Sequence, residues 1–315
     1  MAKNSVQFQK GYSLPKFLQS YGSEDQCREI LYKYRWPNGF ECPKCGHNRC
    51  DELKTRQLFQ CTNCRSQCSL KSGTIFDSSQ LPLTTWFLAI YLITQAKEGM
   101  SALSLRRFLG ISVNAAFKMK HKLQHVMKKA DDQLVLEGFV ELDDVYWGGK
   151  RSGGKRGRGA PGKTPFLAAV SRNEKGHPIH MRMSKLKAFN FSEVTSWSQK
   201  HLSPDAVVIS DAFNPFNCLS DLVAFHGQIN TSEIYDDPDN RIFHWVNTMI
   251  SNVKRAIHGT YHSISSTHLP RYLAEFCFRF NNRFHIGGMV RKLIKLAAKT
   301  TPKPNRILIL AEKEG

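Results

Sequence analysis

The chain has 315 residues, enough for two or three domains, and its 45 Lys and Arg against 26 Asp and Glu give a formal charge of +19. That excess favours a polyanionic partner, with a basic RNA-binding or structural protein as the plain alternative. The opening MAKNSVQFQKGY lacks the apolar core of a secretory signal and no run of about 18 apolar residues could span a bilayer. The nine cysteines include metal-type pairs rather than a disulfide framework, so a cytoplasmic, reducing compartment is expected.

Residues 1–40 read as an N-terminal helical segment, with Leu14, Phe17 and Leu18 and then Cys27, Ile30, Leu31 and Tyr34 at three- and four-residue intervals. Trp36-Pro-Asn-Gly-Phe40 breaks that period. Residues 41–70 read as a zinc ribbon. Cys42-x₂-Cys45 is followed, after 15 residues, by Cys61-x₂-Cys64, and each CxxC turn can set two sulfurs on one tetrahedral Zn²⁺. Cys50 and Cys68 stand outside the pairs, His47 is a weaker substitute ligand, and Gln57–Cys61 suits a short strand.

Residues 71–132 read as a helical DNA-binding region. Leu83–Gln95 has the apolar density of a packed helix, Ser101 suits the cap of a short helix through Phe108, and Gly110–Asn114 separates it from a helix ending near Lys129. Helix, glycine-containing turn and longer helix make a helix-turn-helix pattern. Lys118, Lys120 and Lys122 on its second helix are the candidate DNA contacts, against the alternative of a solvated charged face.

From residue 133 to 300 the pattern is that of an α/β domain with a mixed sheet, followed by a tail at 301–315. Strands are expected at Phe139–Tyr146, Pro165–Val170, Pro178–Met183 and Ala206–Ile209, and helices at about 242–257, 268–282 and 288–298. Alternation puts Glu141 and Asp143 on one strand face and Leu142 and Asp144 on the other. Asp211 directly follows the apolar strand. Carboxylates such as Asp143 and Asp211, brought from separate strands, can chelate Mg²⁺ or Mn²⁺; alternatively each merely ends a strand. Asn247 and Lys254, seven residues apart, share a helix face and offer a neutral oxygen and a phosphate-binding cation. Asn252 competes for the ligand role, and the residues alone do not rank the two.

Lys150–Lys163 carries six positive residues, five glycines and no acid, which suits a loop contacting phosphates through Lys155, Arg156 and Arg158. Gly157–Thr164 matches a P-loop pattern, but no apolar strand leads into it and a strand rather than a helix follows, so its context argues against nucleotide binding.

Several separated segments resemble one family in order: Trp36–Gly46, Cys61–Cys64 with Ser72–Phe76, Val140–Lys150, Lys254–His262 and Tyr272–Arg283. Together they are similar to the ISXO2-like insertion-sequence transposases, which join a zinc ribbon to an RNase H-like DDE nuclease domain. The resemblance implies catalytic metal ligands at Asp143, Asp211 and Asn247, with Lys254 as the accompanying lysine. Asn247 departs from the glutamate usual in DDE enzymes at large, which leaves a catalytically decayed zinc-containing DNA-binding regulator as the alternative. The resemblance further implies one structural Zn²⁺, two catalytic Mg²⁺ or Mn²⁺ ions, and cleavage and strand transfer at element ends. Element-end and target DNA as partners, a homo-oligomer on paired ends and a prokaryotic, nucleoid-associated setting follow from the same resemblance.

Overall fold

The computed structural model describes residues 9–148, 162–230, 242–262, 264–304 and 308. The chain divides into two compact units, residues 1–126 with 282–309, and residues 127–281 with 310–315.

In the first unit, α1 (Leu14–Tyr21) and α2 (Glu24–Arg35) lead into the ribbon. Ser23 and Gln26 form a capping box that satisfies two of the orphan N–H groups at the start of α2. Three short antiparallel strands follow, β1 (Cys50–Leu53), β2 (Leu58–Cys61) and β3 (Gln67–Ser69), of which the sequence signalled only the middle one. Then comes the apolar helix α3 (Leu83–Gln95), whose first turn is held by the Glu24 carboxylate through Leu83 N–H (2.9 Å) and Thr84 N–H (3.0 Å). Ser101 caps α4 (Ala102–Leu109) by accepting from Ser104 N–H, and Gly110 ends it in the left-handed region (φ +65°) that a side chain would resist. Helix α5 (Val113–Asp131) begins here, and its last residues belong to the second unit.

The second unit is built on a sheet of β4 (Phe139–Trp147), β5 (Thr164–Arg172), β6 (Pro178–Lys185), β7 (Val207–Asp211) and β8 (Phe225–Ile229). Its order is β6-β5-β4-β7-β8, with β4–β5–β6 antiparallel and β7 and β8 parallel to β4. This mixed sheet is the RNase H-like arrangement. One face, including Val145, Ala168, Val170 and Met181, packs under α7 (His244–Tyr261) and α8 (Leu269–Asn281). The other, including Val140, Leu142 and Val208, packs under α6 (Phe191–His201). At the end of α5, Arg182 on β6 is 1% exposed and donates to the Asp131 carbonyl, to Asp132 Oδ1 (3.1 Å) and to His201 Nε2 (3.1 Å). Asp131 Oδ2, 3.5 Å from Arg182 Nη1, offsets this buried charge, although Arg182 Nε has no hydrogen-bond partner among the described residues.

The last helix, α9 (Ile286–Lys299), differs from expectation. It is not part of the α/β domain read over 133–300. Its apolar face (Met289, Val290, Leu293, Ile294, Ala297) packs against α2 and α3 of the first unit, and Ala297 C=O accepts from Ile75 N–H. Among the described residues no helix is long and apolar enough to cross a membrane.

Candidate metal centres and active site

Each CxxC forms a tight knuckle. Gly46 N–H donates to Cys42 C=O and Arg65 N–H to Cys61 C=O, with Gly46 and Arg65 both at positive φ. The four Sγ atoms lie within 4.8 Å of one another, with Cys42–Cys64 and Cys45–Cys61 at 3.6 Å. Tetrahedral Zn–S bonds of about 2.3 Å require sulfurs about 3.8 Å apart, so the donor set fits zinc. The Ser66 hydroxyl sits 3.3 Å from Cys42 Sγ and 3.1 Å from Cys64 Sγ. It pulls both thiols below the ordinary range, Cys42 to about 6, toward the thiolate a metal ligand must be. His47 is engaged elsewhere, its Nε2 3.1 Å from Thr62 Oγ1.

The second site forms where the middle of β4 passes the C-terminal end of β7. The parallel register aligns Leu142 with Ser210, so the following residues, Asp143 and Asp211, emerge side by side. A third carboxylate joins them: oxygens of Asp143, Asp144 and Asp211 all lie within 4.8 Å of one another. Alternation alone sends Asp144 to the opposite face. But β7 ends at Asp211 while β4 continues to Trp147, which leaves Asp144 at the lip of the sheet. Three half-buried carboxylates this close repel, and hard oxygen donors of this kind suit Mg²⁺ or Mn²⁺.

Helix α7 carries Asn247 and Lys254 along one flank of its exposed surface, while Val246, Met249, Ile250, Val253 and Ile257 face the core. Asn247 and Asn252, about 140° apart around the helix, both border a shallow open groove with His244 and Arg255. Lys254 lies within electrostatic reach of Asp143. Desolvation lowers its pKa although the residue as a whole is exposed, and the nearby Asp143 opposes that shift. Asn247, within about 20° of Lys254, shares this flank and Asn252 does not. Glu141, absent from the sequence-derived site, is fully buried beneath it; burial raises its carboxyl and Val246 N–H, donating at 2.8 Å, holds it down.

Of the candidate DNA contacts, Lys118 is exposed on the first half of α5. Lys120 is a correction: it is 0% exposed and donates to Met100 C=O at 2.8 Å. Lys122 is likewise turned inward, its ammonium 3.0 Å from Ile75 C=O and 3.2 Å from Asp77 C=O. Residues two apart on a helix lie about 200° apart, so Lys118 and Lys120 cannot share a face. Lys155, Arg156 and Arg158 fall outside the described residues. Strands β4 and β5 pair as far as Trp147 and Thr164.

Residues 135–281 match the model of the ISXO2-like transposase domain, and residues 22–67 that of the transposase zinc-ribbon domain, together more than half of the chain. The chain belongs to the ISXO2-like transposases. The transposase-domain match ends at Asn281, the last residue of α8. Among curated relatives, an uncharacterized protein in transposable element ISH50 of Halobacterium salinarum is 28% identical over 134 residues. That match covers 41% of this chain and 44% of the relative, so the chain aligns with less than half of its length. Among solved structures, a chain of the Mos1 strand transfer complex aligns at 9% identity and TM-score 0.22, covering 72% of this chain and 77% of that one. A pre-cleavage Mos1 transpososome aligns at 9% identity and TM-score 0.20, covering 68% and 79%.

Proposed function

We propose that this ISXO2-like transposase cuts the ends of its element and joins them to target DNA, using divalent ions held by Asp143, Asp211 and Asn247. The observation that carries the reading is the convergence of Asp143 and Asp144 on β4 with Asp211 at the C-terminal end of neighbouring β7, within the matched transposase domain. Asp144 would add charge beside the bound ions, toward which Asn247 would offer only a neutral oxygen. When bound, two Mg²⁺ or Mn²⁺ ions would supply Lewis acidity for attack on the phosphodiester and for departure of the leaving oxygen.

The chain's own groups then orient the DNA. Lys254, beside Asp143, is suited to hold a non-bridging phosphate oxygen. In cleavage, water forms the new P–O bond and the 3′ oxygen leaves as a hydroxyl; in joining, that hydroxyl forms a P–O bond to a target phosphate, whose bond to the target's own 3′ oxygen breaks and releases a new 3′-hydroxyl. Lys155, Arg156 and Arg158 supply phosphate contacts through their charge, and Lys118 supplies one from α5. The ribbon, with one Zn²⁺ on Cys42, Cys45, Cys61 and Cys64, recognises the element ends with the helix-turn-helix. Because two ends must be held together, at least two copies act on one element.

The test is cleavage of a labelled duplex carrying an element end in Mg²⁺, comparing the wild type with Asp211→Ala. Cutting by the wild type, and binding without cutting by the variant, is expected. End binding without cutting by both proteins would instead identify a DNA-binding regulator.

A further inference from the structure

We propose that Glu141 is a positioning residue that sets Asn247 in register with Asp143. The inference rests on the reading of Asn247 as a metal ligand.

Helix α7 has no cap of its own. Its N-cap residue, Phe243, sits in the left-handed region (φ +62°) and offers no side-chain acceptor, and the first turn contains no acid. Its orphan N–H groups need a partner from elsewhere. Glu141 provides one across the core: its Oε2 accepts from Val246 N–H at 2.8 Å. Its Oε1 lies 3.3 Å from Arg172 Nη1, and that guanidinium is stacked 3.9 Å from the centre of the Phe139 ring. Arg172 pairs with Phe139 in the β4–β5 register, so the cation that balances Glu141 is itself fixed by the sheet.

The placement of the two ends of this link gives it a function beyond capping. Glu141 and Asp143 lie on the same face of β4, two residues and about 7 Å apart. Val246 directly precedes Asn247 on α7. A single directional bond therefore joins the strand bearing the first carboxylate to the helix turn bearing the third ligand. Packing alone does not explain a carboxylate at this position. A buried ion pair gains little over an apolar pair of similar size, but it fixes distance and orientation as apolar contact does not. Metal sites depend on such outer partners, whose loss typically weakens binding about 10–100-fold.

The experiment uses the 315-residue zinc-loaded protein with the single variants Glu141→Gln, Glu141→Asp, Glu141→Ala and Asn247→Ala, and the double variant Glu141→Asp/Asn247→Ala. It reads the Mn²⁺ dissociation constant and single-turnover cleavage of a saturating element-end duplex. Glutamine keeps the reach and the acceptor without the charge, whereas aspartate keeps the charge but is one methylene short. We expect Glu141→Asp and Glu141→Ala to weaken Mn²⁺ binding about 10-fold, with Glu141→Gln within about 3-fold of wild type. Element-end affinity should change less than 2-fold in all of them, and the double variant should bind Mn²⁺ no more weakly than Asn247→Ala alone. Wild-type behaviour of Glu141→Asp beside a strong loss in Glu141→Gln would make the residue a source of charge and overturn the inference, as would fully multiplicative effects in the double variant. If Asn247→Ala alone leaves Mn²⁺ affinity and cleavage unchanged, the ligand reading itself has failed and the positioning role falls with it. The conservative glutamine and aspartate variants keep the comparison decisive if Glu141→Ala does not fold.

Discussion

Lys120→Ala should damage the fold rather than DNA binding. The side chain is fully buried, and truncation to alanine removes three of its methylenes, at about 0.8 kcal/mol each a cost of about 2.4 kcal/mol. Losing the ammonium deprives the Met100 carbonyl of its 2.8 Å donor, a further cost of about 1–3 kcal/mol. Removing a buried charge returns part of this, leaving a net loss of about 2–4 kcal/mol. For a unit of roughly 150 residues, that lowers Tm by about 5–12 °C. Lys118→Ala is the control on the same helix. It is exposed, so its stability should change by less than about 0.5 kcal/mol, while the salt dependence of end binding falls by about one unit of slope. Differential scanning fluorimetry and binding titrations at several salt concentrations read both effects. A Lys120→Ala protein with unchanged Tm and a flattened salt slope would refute the reasoning and return Lys120 to the DNA surface.

Further outcomes follow from the two metal centres and from the buried cluster around Arg182. Cys61→Ser should lose the single zinc and destabilise the ribbon, whose two knuckles the metal joins; unchanged zinc by metal analysis would remove Cys61 from the site. Asp144→Asn should weaken Mn²⁺ binding by titration calorimetry and slow cleavage at least 10-fold, whereas wild-type affinity would mean that Asp144 turns away from the ions. Burial pushes Asp131 up to about 7, so its contribution to stability is present at acid pH and fades as pH rises from about 4 to 7. Burial, then Arg182, pulls His201 down to about 4, so its contribution is lost as pH falls from about 6.5 to 4. The two slopes oppose each other. His201→Gln should expose the falling one, and a urea-melt stability that rises between pH 4.5 and 7 in that variant would contradict the sign.

The sequence signals that proved readable were periodic or strongly constrained by chemistry. The cysteine pairs, the strands at 139–147, 164–172 and 178–185, and the helix carrying Asn247 all announce themselves locally. Strand β8 (Phe225-His-Gly-Gln-Ile229) does not, because its glycine and polar residues belong to an edge position. Helix α6 hides behind a Ser- and Thr-rich composition and is held by packing of Val194 and Trp197. Lys120 looked solvent-facing because the run of lysines masked the period of Ala116, Met119, Leu123 and Val126, whose buried stripe includes it. Asp144 required knowing where β7 stops, and Glu141 required knowing which helix crosses β4. Helix α9 follows the α/β domain without a break in pattern, and only its partners reveal that it belongs with the first unit.

The most direct measurement is joining of a pre-cut element end to a target duplex. Given Mg²⁺ and an end with a 3′-hydroxyl, the wild-type protein should covalently join it, whereas an end with a 3′-deoxy terminus should bind equally well and not join. Asp143→Ala should bind both ends and join neither. Failure of the wild-type protein to join the hydroxyl end in Mg²⁺ or Mn²⁺, or joining by Asp143→Ala at the wild-type rate, would contradict the account.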